Sequence, residues 1–292
     1  MTTSPAAAPA SYVRRSPMAG LFGLGFGANF FDTLGIGSFA TTTAVLRLFR
    51  MVNDEDIPGT LNVGHSIPTI FEAVCFVFII PWWIVHAPQW LPTPPKDGGG
   101  YAFGPMTLIP MAIAGGLGAW AGTGIVVKWP RRTIQKAMAL ALLITAGFMA
   151  LRILANLNLG SGSIEFAGMA LVIAVIGSVV IGSLTSLGIG NYAPTMAMTY
   201  MLGMNQKAVF PIMAASASLI LPSAALRFYR AGRFDRRIVK GLAIGGVPGV
   251  FVAAFLITSL PLLYVKWIVV AVLLYTSATL WMASRQTPSS TT

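Results

Sequence analysis

Two short glycine-containing stretches carry the residue types best suited to holding a negatively charged solute without a fixed counter-charge. The first is Asn29-Phe30-Phe31-Asp32-Thr33-Leu34-Gly35-Ile36-Gly37-Ser38-Phe39-Ala40-Thr41-Thr42. The second lies 153 residues later, where Leu187-Gly188-Ile189-Gly190-Asn191-Tyr192-Ala193-Pro194-Thr195 aligns with Leu34 to Thr42; at the same offset Pro58 falls on Pro211. Each stretch interrupts apolar sequence, and each glycine costs a helix about 1 kcal/mol relative to alanine. Gly37-Ser38 has the character of a new helix start, with Ser38 as the N-cap. The start of a helix offers unpaired backbone N–H groups and a partial positive charge. Gly35, Gly37, Gly188 and Gly190 let backbone approach a ligand with no Cβ in the way. Ser38, Thr41, Thr42, Asn191 and Thr195 add side-chain donors, while Phe39 and Tyr192 would wall the site. The chemistry this pattern suits is solvation of a small anion by the amides of Gly37, Ser38 and Phe39 and of Gly190, Asn191 and Tyr192. Glycines also serve tight turns, but the repetition at a fixed offset favours a binding site.

Acidic and titratable residues add a second chemistry. Asp32 stands just before the first break, with Thr185 as its counterpart in the second copy. An acid at bilayer depth costs roughly 2.5–3.5 kcal/mol, so it faces protein or a cavity. Three roles are open to it: capping the break, binding a proton, or holding a coupling cation. Asn62, His65, Thr69 and Glu72 follow at spacings of 3, 4 and 3, which places them on one helix face. His65 and Glu72 therefore join Asp32 as candidates for coupling, with a buried hydrogen-bonded stripe as the alternative. Cys75 is the single cysteine, and His65 and His86 are the only histidines. No metal site, cofactor site or nucleophile-and-base set is expected from them.

The elements that must position these residues are membrane helices. The chain is 55% hydrophobic and 9% charged, with mean hydropathy +0.76; soluble domains carry about 25% charged residues. The formal charge of +11 comes in short basic clusters between apolar runs. That is the loop pattern of a membrane protein, and it argues against nucleic acid as a partner. Apolar segments fall at 18–50, 57–86, 103–127, 133–154, 166–203, 206–229, 238–257 and 262–284. A single crossing needs about 20 residues, so the first and fifth, each broken in the middle, are too long for one crossing and short for two. Loop charge decides between the arrangements. If both long segments return to the side they entered from, fifteen Lys and Arg lie inside (Arg14 and Arg15, Arg47 and Arg50, the clusters Lys128–Lys136 and Arg227–Lys240, and Arg285), against four outside, Lys96, Arg152, Lys207 and Lys266. If each crosses once, the division is eleven to eight, a far weaker positive-inside bias.

The expected fold is therefore an all-α polytopic membrane protein built as two inverted-topology repeats. Each repeat is a hairpin of half-helices followed by three transmembrane helices, the plan of many secondary transporters. The divisions are a disordered tail at 1–17, an N-terminal repeat at 18–154, a C-terminal inverted repeat at 155–284 and a tail at 285–292. Both termini are placed in the cytoplasm. Gly118 and Gly122, and likewise Gly245 and Gly249, form small-xxx-small pairs suited to close helix contact in lipid.

The run Phe31-Asp32-Thr33-Leu34-Gly35-Ile36-Gly37-Ser38-Phe39-Ala40-Thr41-Thr42-Thr43-Ala44 resembles the N-terminal motif of the sulfite exporter TauE/SafE family. Leu187 to Thr195 agrees with a degenerate second copy. The family often has proline at the position of Thr41; here Pro194 supplies it only in the second copy. The resemblance implies a bacterial inner-membrane permease with two related halves, and a role in exporting sulfite or organosulfonates or moving related small anions. The resulting expectation is a secondary transporter, not an enzyme, whose partners are a small anionic substrate, the lipid bilayer and a coupling proton or cation, with assembly into a homo-oligomer left open. The alternatives are a passive small-anion channel and a carrier of another sulfur compound or a carboxylate.

Overall fold

The first long apolar segment forms two helices and not one. In the computed structural model, α1 (Met18–Thr33) ends at the glycine-containing break and α2 (Ser38–Leu48) leaves from it. The model describes residues 16–34, 37–86, 103–154, 163–188 and 190–256, with single helical positions between 267 and 285. Gly35, most of the two terminal tails, the linker residues 87–102 and most of the eighth apolar segment lie outside the described residues. Gly37 has φ +85°, a left-handed conformation that suits glycine, and in the second copy Gly188 has φ +88°. There the chain again divides, into α7 (Gly168–Thr185) and α8 (Tyr192–Met201).

The remaining helices are α3 (Ile57–Val74), continued through a π-helical stretch Cys75–Ile79 into α4 (Ile80–His86), then α5 (Pro105–Val126), α6 (Arg131–Leu154), α9 (Gln206–Ala231) and α10 (Arg236–Leu256). Every named element is a helix. Five are long and apolar enough to cross a bilayer: Ile57–Trp83, Pro105–Val126, Gly168–Thr185, Ala208–Ala231 and Arg236–Phe255. At 1.5 Å per residue, α2 with 11 residues and α8 with 10 are only about 16 and 15 Å long, half of the ~30 Å hydrocarbon layer. The helix α7, with 18 residues, is longer than a half-helix. Its chain nevertheless turns back: Ser163, before α7, bridges Met204, after α8, and the Asn205 N–H donates to the Ser163 carbonyl at 2.7 Å.

Loop contacts fix which ends share a face. Arg233, between α9 and α10, pairs with Glu55 and Asp56, between α2 and α3, at 3.3 Å each. The Asp235 N–H donates to the Thr60 hydroxyl at 3.0 Å. Arg47, at the end of α2, pairs with Asp54 at 3.2 Å. The basic Arg227–Lys240 cluster and the exit of the first hairpin therefore lie on one face, as the returning arrangement requires and the single-crossing one forbids. Partial burial holds the Asp56 carboxyl above its usual range, and Arg233 pulls it back down. On the opposite face Glu165, just before α7, accepts from the Met106 N–H of α5 at 2.9 Å.

Glycines set the closest helix contacts. The helix α1 runs beside α10, α7 beside α5, and α3 against both α9 and α10. A Cβ on Gly241, Gly245 or Gly249 of α10 would fall on Leu21, on the Phe22 carbonyl or on the Phe26 carbonyl of α1. A Cβ on Gly118 of α5 would fall on the Val179 carbonyl of α7, and one on Gly122 would meet Ser183 Cα at 2.7 Å. Both pairs of helices thus pack backbone to backbone, the arrangement that small residues permit in lipid.

Gly245→Ala, which drives a Cβ into backbone that cannot yield locally, should lower the thermal stability of the purified protein by several degrees, on the scale of ~1–3 kcal/mol for overpacking. Gly147→Ala, inside α6 and with nothing within 4 Å of its Cβ, should keep or slightly raise the melting temperature. Equal melting temperatures for the two variants would contradict the packed α1–α10 seam. In a Cys75→Ala background, Glu55→Cys and Arg233→Cys should label from the same membrane face and cross-link to each other; labelling from opposite faces would overturn the hairpin.

Candidate functional site

The first break is held by a carboxylate. The Ser38 N–H donates to Asp32 Oδ1 at 2.7 Å and the Ser38 hydroxyl donates to Asp32 Oδ2 at 2.8 Å. Ser38 is thus the first residue of α2 and a donor, not the capping acceptor its position suggests. The acid at the end of α1 caps α2 from across the break, where a negative group is stabilised by both the free amides and the helix dipole. Asp32 and Ser38 are each 2% exposed.

The two breaks adjoin. A Cβ placed on Gly190 would lie 3.9 Å from Phe39 Cβ. Phe39 in turn packs against the His65 ring, with centroids 5.7 Å apart. Buried Asn62 of α3 donates to the Pro58 carbonyl at 2.8 Å and to the Thr185 carbonyl at the end of α7 at 3.4 Å. Asn191 reaches the Met213 carbonyl of α9 at 3.4 Å. Tyr192, the first residue of α8, is buried and sends its hydroxyl toward the Glu72 carboxylate of α3, with Asp32 also within electrostatic reach of both.

His65 is fully engaged. Asn29 Nδ2 donates to the Gly25 carbonyl at 2.8 Å, so its oxygen faces His65 Nδ1 at 3.0 Å. That oxygen only accepts, which places the imidazole proton on Nδ1 and leaves Nε2 to accept from the Thr42 hydroxyl at 3.1 Å. The network ties α1, α2 and α3 together just beneath the first break. Thr41 donates to the Ser38 carbonyl at 2.9 Å, and Thr69 donates to the Ser66 carbonyl at 3.1 Å. Thr195 is buried one turn into α8, where its N–H donates to the Asn191 carbonyl at 3.0 Å.

The structure thus gathers Asp32, Ser38, Phe39, Thr42, His65, Glu72, Gly190, Asn191 and Tyr192 around the junction of the two breaks. Gly35 and Ile189 lie outside the described residues. Two partnerships were not visible beforehand. One is Asn29 with His65, for which a polar residue one turn before Asp32 was the available signal. The other is Tyr192 with Glu72, which no local spacing could reveal. Among the described residues no three His, Cys, Asp or Glu side chains are grouped to hold a metal.

Residues 169–292 match the Sulfite exporter TauE/SafE family. The matched part begins in α7 and includes the second break, whereas the resemblance seen in the sequence was drawn on the first hairpin. The family is one of membrane exporters of sulfite and related anions, and a bundle of apolar helices with paired breaks fits transport. No curated protein and no solved structure matched the chain.

Removing either partner of the cap should destabilise the protein. Asp32→Ala and Ser38→Ala should each lower stability, on the order of 1.5–3 kcal/mol for a hydrogen bond to a charged group. Because the Ser38 hydroxyl bond is lost in both, while the amide bond is lost only with Asp32, the double variant should lose less than the two effects together. Fully additive losses in thermal unfolding would show that the two residues act separately.

Proposed function

We propose that the chain is a secondary transporter that exports a small sulfur oxyanion, sulfite or an organosulfonate, across the bacterial inner membrane. The observation that carries this reading is the contact between Gly190 and Phe39, which brings the starts of α2 and α8 together inside the helix bundle. An anion at that depth has no water and needs donors in its place. Two helix starts supply them, with Thr41, Thr42 and Thr195 close by. The starts are unequal. Asp32 already occupies the Ser38 amide, whereas Thr185 stands where a second acid would be. The anion therefore has least to displace at Gly190, Asn191 and Tyr192, with Gly37, Ser38 and Phe39 forming the facing wall.

The halves are read as inverted repeats divided near residue 155, with both termini in the cytoplasm. Exchanging the halves maps α1 on α10 onto α7 on α5, and leaves α3 on α9 as its own counterpart; all of these contacts are present. Alternating access would rock one hairpin and its seam partner against the other set. The face bearing Arg47, Arg233 and the Arg227–Lys240 cluster is assigned to the cytoplasm by the positive-inside rule.

Flux of radiolabelled sulfite into proteoliposomes tests the reading, with thiosulfate, sulfate, taurine, sulfoacetate and simple carboxylates as competitors. Gly190→Ala, whose Cβ would make ordinary contact with Phe39, should retain flux. Gly190→Leu fills the gap between the helix starts and should reduce flux at least tenfold while the protein still inserts. Normal flux in Gly190→Leu would remove the anion from this junction.

A further inference from the structure

We propose that Glu72 and Tyr192 form a proton-carrying site between the two halves, Glu72 holding the proton as a neutral acid and the Tyr192 hydroxyl accepting its hydrogen bond. The proposal rests on the transporter reading above and names what accompanies the anion. Glu72 is fully buried, and its carboxyl oxygens have no hydrogen-bond partner outside the Tyr192 hydroxyl that faces them. The Tyr192 hydroxyl likewise has no partner elsewhere. An ionised carboxylate placed there would face the lipid-depth interior with no N–H group solvating it.

The neighbouring acid is provided for in the opposite way. Asp32 receives two charge-assisted hydrogen bonds from Ser38, at 2.7 and 2.8 Å, and sits at the start of a helix. Both of its carboxyl oxygens have a donor, which favours the ionised form over the unsupplied Glu72. Two carboxyl groups within reach of each other, one supplied with donors and one without, divide into a fixed anion and a proton carrier. A charged Glu72 would also stand beside the charge already resident on Asp32.

Among the described residues, the groups facing Glu72 from the surrounding helices include no cation. The helix α1 contributes Asp32, α8 contributes Tyr192, and α3 itself contributes Cys75. On α2 the charged residue is Arg47, paired with Asp54 at the end of the helix. The helix α9 holds Arg227, Tyr229 and Arg230, and α10 holds Arg236, Arg237 and Lys240, all near helix ends and none acting on Glu72. His65 has one nitrogen on Asn29 and the other on Thr42, so protonating it would turn the Thr42 hydroxyl away from its bond. The π-helical stretch begins at Cys75, three residues beyond Glu72, a distortion found often at functional sites. When the junction of the two breaks opens to water, Glu72 releases its proton to that water, and the Tyr192 hydroxyl turns from accepting to donating to the carboxylate that remains.

Infrared difference spectroscopy on the full-length purified protein, between mildly acidic and alkaline buffer and with no anion added, reads this group directly. The wild type should show the carbonyl band of a neutral carboxylic acid that disappears on alkalinisation. Glu72→Gln should lack the band, Asp32→Asn should keep it, and Tyr192→Phe should shift its frequency. Tyr192→Phe decides the matter alone if Glu72→Gln fails to fold. Persistence of the band in Glu72→Gln, its loss in Asp32→Asn or an unmoved band in Tyr192→Phe would overturn the assignment. Sulfite flux is the separate arm: wild-type flux without a band removes the proton site and leaves the transporter, and a band without flux removes the transporter and leaves the acid.

Discussion

A helix that begins inside a hydrocarbon layer exposes amide donors where no water can take them. The rest of the structure depends on how the break at residues 34–37 meets that requirement. Asp32 meets it from the preceding helix, so the group that ends α1 is also the group that starts α2. The cost of an acid at this depth and the cost of unpaired amides offset each other. The same pairing fixes the angle of the hairpin, because one residue is bonded across the turn through both its backbone and its side chain. The second break lacks the acid, and its neighbours reach it from α3 and α9 instead, through Asn62 on the Thr185 carbonyl and Asn191 on the Met213 carbonyl.

Buried polar residues occur along several helices, and two groups of them lie at the breaks. Asn29, Thr42 and His65 close one network beneath the first break, with each imidazole nitrogen given one partner. Glu72 and Tyr192 form a second group whose polar atoms have no partner outside the pair. Buried polar atoms without partners are rare in native proteins and call for a reason other than stability.

Much of this was legible in the sequence because lipid imposes simple rules. Glycines in an apolar run marked the breaks, and α1 ends at Thr33, next to the first of them. The clustering of arginines and lysines favoured a returning hairpin over a single crossing, and Arg233 meets Glu55 and Asp56 as that arrangement requires. The 3-4-3 spacing from Asn62 to Glu72 correctly placed four polar residues on one buried face. What each of them meets was not legible. A helix face runs past several neighbours at different heights, so Asn62 meets α7, His65 meets α1 and α2, and Glu72 meets α8. The reversal of Ser38 from acceptor to donor was hidden for a related reason. Capping rules describe residues adjacent in sequence, and here the acceptor lies six residues back across a turn.

The glycine seams have a consequence for how the protein is made. The helix α1 rests on α10, more than half the sequence away, with backbone against backbone along Gly241, Gly245 and Gly249. Until α10 is synthesised, α1 has no surface to complete it, and its polar end must wait in the bilayer. The α1–α10 seam therefore closes late in synthesis, as an interlocking of segments far apart in the sequence.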